Sequence, residues 1–441
     1  MARFKLSDLN NKHFLSLAGN GVIAVLGFVL MMLYARSLSL ADTGIWFYFA
    51  VIYNLGDAVR NGFLGTATIK FYAGTSQERG REVLGSVWFL AIAVTGILVA
   101  ATLPFIPFIG DKSNIELTTT IRWFGPTFIS SLPFNLIFWV LVAEEKYGKI
   151  LWLRLINSGS MIVYIMVLIF LKKMSLEALL WCNFLTNCLA SIVGLVWGLG
   201  KFRSFFSRSW ECIMELLHFG KYSLGSTAAS KLFSSADSFI ITSILGPAAL
   251  AIYTVPLKLM ELVEFILRSF VSTGMSGMAI AYNNNNIEHT KYIFKKYTGM
   301  LTLAFVPLTV FVLLFSDLII HVIGGGKYVG TDAANIFRIL MVLALSYPID
   351  RFIGVTLDII HKPIFNLYKV LIMLAFDVVG DLAGLTIFRS LYAVAFASFL
   401  VMSSGIIFGK MKLNKYLKLP PLPDILRFGY VELKLLVRKV V

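Results

Sequence analysis

The chain has 441 residues, of which 58% are hydrophobic and 14% charged, with a formal net charge of +15. A soluble domain carries about 45 to 50% apolar and about 25% charged residues, so a water-exposed globule cannot absorb this apolar excess. The basic balance could point to nucleic acid, and the position of the cations along the chain decides against it.

Apolar runs of about 20 residues recur, the length that crosses about 30 Å of hydrocarbon at 1.5 Å per residue. In chain order the predicted spans are 14–37, 44–64, 83–105, 123–143, 150–171, 176–199, 222–245, 250–271, 299–320, 336–357, 367–388 and 391–409, twelve in all. The first run follows a polar stretch, Met1 to His13, and lacks a small-residue cleavage site, so it reads as a retained helix. With the amino terminus inside, the inner connections 1–13, 70–82, 144–154, 201–221, 281–296, 361–369 and 410–441 hold 26 Lys and Arg. The outer turns hold 8: Arg36, Lys112, Arg122, Lys172, Lys173, Lys327, Arg338 and Arg389. That asymmetry predicts a multi-pass protein of the cell membrane with both termini cytoplasmic. The positive charge is then membrane orientation, and no nucleic-acid partner is expected.

Connections are short except at 201–221, the predicted cytoplasmic linker between an amino-terminal six-helix bundle, 1–200, and a carboxy-terminal one, 222–409. Within that linker, Arg208 to Phe219 alternates charged and apolar residues and is predicted to lie along the inner membrane surface. The tail 410–441 is basic. After Pro420, Pro421 and Pro423, its charges Arg427, Glu432, Lys434, Arg438 and Lys439 predict an interfacial helix and not a thirteenth span.

The halves echo each other. Leu38 to Trp46 matches Leu245 to Tyr253 at a constant offset of 207, each as a tight outer turn between the first and second helices of a half. Six helices per half keep the two copies in the same orientation. The predicted fold is therefore all-α, with two six-helix bundles related by a parallel pseudo-two-fold repeat.

Charge inside spans is expensive, at roughly 2.5 to 3.5 kcal/mol for a residue at a helix centre. The second span nevertheless has Asp57 and Arg60, the seventh Lys231 and Asp237, and the eighth Lys258, Glu261, Glu264 and Arg268. The tenth has Asp350, Arg351 and Asp358, and the eleventh Asp377 and Asp381. The four charges of the eighth span fall on one arc, and Asp377 and Asp381 share a face at i, i+4. Such residues should point into a bundle or a wet cavity. Glu264 and Arg268, also at i, i+4, fit a structural ion pair equally well. Asp350 and Arg351, beside Pro348, fit a helix break.

Other motifs carry less. Gly324 to Lys327 resembles part of a phosphate loop but lacks the first glycine at the needed spacing and the Ser or Thr after Lys327, and reads as a flexible outer turn. The five histidines and three cysteines show no ligand spacing, so neither a metal nor a cofactor is expected.

Phe219 to Leu224, Ser235 to Ile241 and Leu245 to Tyr253 together resemble the start of the second half in polysaccharide flippases of the multidrug/oligosaccharidyl-lipid/polysaccharide (MOP) exporter superfamily. Ala35 to Leu38 with Asp42 to Gly44 resembles that family's opening, and Phe337 to Leu340 its tenth helix. The resemblance implies two bundles in a V shape, alternating access, and a polyprenyl-diphosphate-linked oligosaccharide flipped from the inner to the outer leaflet. The substrate would be an O-antigen, capsule or exopolysaccharide repeat unit, with membrane lipids and polysaccharide polymerase machinery as further partners. A diphosphate headgroup needs cationic partners. Aligned helices then make Lys231, Lys258, Arg60 and Arg268 the candidates for a cationic cavity, with the two lysines preferred. No nucleotide-binding domain is evident, so the driving force is expected from an ion gradient, H+ or Na+, or from the substrate gradient, with Asp57, Asp237, Asp377 and Asp381 as candidate ion-coupling acids. The alternatives are a drug/cation antiporter of the same superfamily, which should carry an acid-rich pocket, and a polytopic enzyme of polysaccharide assembly. The enzyme reading needs a sizeable outer loop, and the longest, about 106–122, is short.

Overall fold

The computed structural model describes residues 12–108 and 114–440, and these form helices without a strand among them. Most of the polar stretch 1–13, and Lys112, lie outside the described residues. The chain divides into two compact units, Met1–Ser238 and Phe239–Val441.

The first unit contains α1 (Lys12–Ser37), α2 (Leu40–Arg60), α3 (Thr66–Tyr72), α4 (Gln77–Ala100), α5 (Ile115–Ser130), α6 (Leu132–Ala143), α7 (Tyr147–Phe170), α8 (Leu176–Val196) and α9 (Trp210–Phe233). A π-helical turn, Asn61–Gly65, joins α2 to α3, so the second predicted span is one helix with a bulge. Side-chain caps set the helix starts that hydropathy leaves blurred. The hydroxyls of Ser39, Ser76, Ser175 and Ser209 accept from the backbone amides of Asp42, Arg79, Ala178 and Cys212. The fourth predicted span is broken: α5 and α6 meet at Ser131 with a 44° bend, between Pro126 inside α5 and a proline in the first turn of α6.

Helix α10 (Ala236–Leu245) leads into the second unit, which holds α11 (Pro247–Asn283), α12 (Ile287–Gly324), α13 (Ala333–Ala344), α14 (Tyr347–Ile359), α15 (Pro363–Phe388), α16 (Leu391–Asn414) and α17 (Leu422–Val440). The tight turn before α11 is set by Gly246 at φ 84°, a left-handed conformation that glycine adopts without cost, followed by Pro247 in the first helical turn. This turn and the one between α1 and α2 stand at equivalent points of the repeat. Helices α13 and α14 form a second broken pair, bent by 45° just ahead of Pro348.

Eleven of the twelve predicted spans have one helix or one broken pair, and the seventh, 222–245, is covered by the end of α9 and by α10, which part at Ser234 and Ser235. Among the described residues six helices are long and apolar enough to cross a membrane, and each bent pair adds one more. In α1 the apolar described part, Gly21–Ser37, is shorter, and α2, α9 and α11 carry the charges described above.

Three expectations change. The inner connection predicted at 281–296 is helix apart from residues 284–286, because α11 and α12 run 37 and 38 residues and form a long hairpin. The connection at 361–369 is short, since α15 already begins at Pro363, and Lys369 lies buried inside it. Arg208 to Phe219 is no separate surface segment. Its Cys212, Ile213 and Leu216, in the first turns of α9, are buried in one cluster with Val83 and Val87 of α4 and Phe63 and Leu64 of the π-turn.

The tail forms a helix, as expected, and α17 packs on α12. Lys296 pairs with Glu432 at 3.1 Å, Tyr292 donates to the same carboxylate at 2.9 Å, and Phe428 meets the Tyr292 ring edge-on. The two backbones touch at glycines: a Cβ on Gly429 would stand 2.3 Å from the Gly299 carbonyl carbon. In the same unit, α14, α15 and α16 close around a buried ion pair. The Lys369 ammonium donates to the Asp350 carboxylate at 2.6 Å and to the Asp350 carbonyl at 3.1 Å.

Two outcomes follow from this packing. Gly429→Leu should overpack the α12–α17 contact, at a cost of about 1 to 3 kcal/mol, and release α17. Limited trypsinolysis should then clip the tail faster than in wild type, and an unchanged rate would show that the contact does not hold α17. Lys369→Met should destabilise the protein by about 3 to 5 kcal/mol by stranding the Asp350 charge, and adding Asp350→Leu should recover most of that loss in a thermal unfolding assay. A double variant no better than the single one would refute the pairing.

Candidate functional site: intramembrane charge

In the first unit the charge centres on Arg60, which closes α2 and is fully buried. One terminal nitrogen donates to the Phe128 carbonyl at 3.1 Å and lies 3.5 Å from the Thr95 hydroxyl. The other donates to Asp57 at 2.8 Å and to the Ser131 hydroxyl at 2.9 Å. The guanidinium carbon also lies 4.0 Å over the Phe128 ring, a cation–π contact. Asn135 donates to the same Asp57 oxygen at 2.9 Å, so that carboxylate is held from both sides. Arg60 and Asp57, predicted separately as a substrate cation and a coupling acid, are one ion pair.

In the second unit the charges of α11 pair along the helix. Lys258 reaches Glu261 at 2.6 Å, with both side chains exposed. Glu264 accepts from Arg268 at 3.0 Å and from Arg351 of α14 at 3.2 Å. A single carboxylate is therefore shared by two guanidiniums that are 69% and 50% exposed, which leaves a local surplus of positive charge. Sequence spacing supplied the Glu264–Arg268 pair. It missed Arg351 as the third member, because that contact joins residues 87 apart in the chain.

The remaining candidates are placed as follows. Lys231 lies in the last turn of α9, is exposed, and makes no ion pair among the described residues. Asp237 is half-buried in the first turn of α10. Asp377 and Asp381 both lie on α15, the first half-buried and the second 1% exposed. Asp358 accepts from Asn366 at 3.0 Å across the turn between α14 and α15. Lys369 belongs by sequence to the inner connection 361–369 but is buried within α15; its position at the edge of the next apolar run, 367–388, is the sequence signal for that. Cys182 and Cys212 are buried and Cys188 is half-buried, consistent with apolar filling.

This chain has a family and a recognisable fold. A family model described as "Polysaccharide biosynthesis protein" matches residues 33–332. No curated protein matches. Among solved structures, a lipid II flippase MurJ in an inward closed conformation is similar with a TM-score of 0.71 at 14% identity, covering 96% of this chain and 92% of that one. An inward-facing multidrug resistance MATE family transporter of the MOP superfamily gives 0.69 at 15% identity, covering 89% and 95%. A MOP superfamily transporter from Pyrococcus furiosus, noted for the reverse polarity of its binding pocket, gives 0.55 at 16%, covering 93% and 95%. At these identities the likeness establishes the fold, which is that of the MOP superfamily. The family match covers well over half of the sequence, and on that ground the chain belongs to the polysaccharide biosynthesis protein family.

Proposed function

We propose that the protein is a flippase that carries a polyprenyl-diphosphate-linked oligosaccharide from the inner to the outer leaflet by alternating access. The observation that carries this reading is the cationic surplus on α11 and α14, where Arg268 and Arg351 share the single carboxylate of Glu264. Exposed guanidiniums on an apolar span are costly unless water or an anion meets them, and a diphosphate is the anion their planar forks fit. Membership in a polysaccharide biosynthesis family supports a sugar-bearing substrate. The fold shared with a lipid II flippase supports movement of such a substrate.

Within this proposal the substrate cations are Lys231, Lys258, Arg268 and Arg351. Arg60, whose two terminal nitrogens are bonded within its own unit, serves by fixing Asp57. The coupling acids are Asp57, Asp237, Asp377 and Asp381, and the driving force is a gradient of H+ or Na+. The sugar would be an O-antigen, capsule or exopolysaccharide repeat unit, delivered to polymerase machinery on the far side of the cell membrane.

Deleting the gene in its native host should deplete surface polysaccharide and leave lipid-linked repeat units facing the cytoplasm, since synthesis continues while flipping stops. Normal glycan with altered drug tolerance would sink the proposal and favour an antiporter. In the complemented strain, Lys231→Gln, Lys258→Gln and the pair Arg268→Gln with Arg351→Gln should each lower export on the order of tenfold at matched protein levels, because each removes a charge-assisted contact to the headgroup. Normal export by all three would place the anion site elsewhere.

A further inference from the structure

A second cationic feature lies outside the spans, wholly within the first unit. The loop after α3, the start of α4, the end of α6 and the segment after α8 surround a cavity of about 850 Å³. Arg81, Lys146, Lys201 and Arg203 line it, with Glu144 as the one carboxylate among its lining residues. On the positive-inside reading these connections are cytoplasmic.

The cavity is built by close packing and not by loose loops. Residues 202–207 form a 3-10 turn that docks on α4 where Gly85 leaves room, since a Cβ there would stand 2.2 Å from the Ser204 carbonyl oxygen. Buried Trp88 ties the same segment down by donating to the Gly200 carbonyl at 2.9 Å. Lys201 holds a left-handed backbone, φ 45° and ψ 42°, unusual for a residue with a Cβ. Its ammonium donates to the Tyr72 hydroxyl and to Glu144. Lys146 bonds the other Glu144 oxygen at 2.6 Å. Burial opposes ionisation of Glu144, but its hydrogen bonds with Lys146, Lys201 and Tyr72 outweigh that and hold its pKa down at about 2.

One carboxylate thus fixes two of the four cations. Arg81 and Arg203 make no ion pair among the described residues, and both are exposed. Like charges gathered in a concavity repel one another and focus a positive field that draws in anions. Two unpaired planar guanidiniums match phosphate oxygens two at a time. The first turn of α4, whose leading amides have no acceptor within the helix, also faces this cavity through Ser76 and Gln77.

We propose that this cavity is a binding site for a phosphate-bearing headgroup, with Arg81 and Arg203 as its anion contacts and Lys146 and Lys201 as a preset positive wall. It does not depend on the flippase reading, because a carrier of any substrate could hold an anion there.

The test uses the purified full-length protein in phosphatidylcholine nanodiscs, with inorganic pyrophosphate and farnesyl diphosphate as probes in titration calorimetry. Wild type should bind at least one probe, and Arg81→Gln with Arg203→Gln should weaken that binding about tenfold or more, the scale of a lost bidentate contact. Arg81→Lys with Arg203→Lys should restore part of it. Farnesyl diphosphate held more tightly than pyrophosphate assigns the headgroup to a lipid, and equal affinity assigns a free phosphate. A second readout needs no variant: whichever probe binds should, at saturation, shield Lys201 and Lys146 from amine acetylation, read by mass spectrometry. No binding of either probe by wild type, no shielding, or unchanged affinity in the Gln variant would each overturn the site.

Discussion

In hydrocarbon no water is available to a stray charge or an open backbone carbonyl, and each must find its partner inside the protein. Arg60 shows how far this constraint organises the first unit. Its guanidinium is fully buried at the end of α2, and its acceptors come from α2, α4 and the junction of α5 with α6. That junction is where the fourth span bends. Breaking a helix releases carbonyls, and one of them, at Phe128, receives a hydrogen bond from Arg60 while Ser131, at the bend itself, receives another. The charge and the break answer each other, so neither stands as an isolated cost. The π-turn that begins at Asn61 follows at once, and Gly62 within it lets Thr227 of α9 approach so closely that a Cβ would meet it at 2.7 Å.

The second unit meets the same constraint with a tighter device. Lys369 and Asp350 neutralise each other in the interior, and the helices come close enough to do so because glycines face the pair. A Cβ on Gly405 would stand 3.3 Å from the Asp350 carboxylate, and one on Gly409 would meet the Lys369 stem at 3.4 Å and Ile353 at 2.3 Å. Here charge is closed off from any ligand. On α11 and α14, by contrast, the charges are exposed and the cations outnumber the carboxylate that they share. The first arrangement is neutral within the fold, whereas the second leaves two guanidiniums to one carboxylate.

The twelve spans were legible because the signal is redundant: length, apolarity and the distribution of Lys and Arg each mark the same segments. What stayed hidden depended on single residues or on distant ones. Helices α11 and α12 continue well past the hydrocarbon, and a polar stretch such as 281–296 looks like a loop when only hydropathy is consulted, although its residues form helix readily. Lys369 sits at the edge of an apolar run, where a snorkelling cation and a buried one read alike. Its partner is 19 residues away on another helix, out of reach of spacing arguments. Arg351 was seen as part of a helix break, and its link to Glu264 exists only in three dimensions.

The cavity lined by Arg81 and Arg203 was hidden for a further reason. Its cations were already explained, since each adds to the positive-inside bias, and a residue with one sufficient cause attracts no second one. Orientation needs only the number of cations on a loop, however, and is indifferent to where their side chains point. It gives no account of a lysine held at positive φ, of a carboxylate placed to anchor two ammonium groups, or of two arginines brought to one concavity from segments more than 100 residues apart. Exposed cations repel weakly in water and would be expected to spread over the surface, where salt screens them. Their convergence on one packed hollow is a specific property of the fold, and it separates the charge that orients this protein from the charge that is arranged to meet an anion.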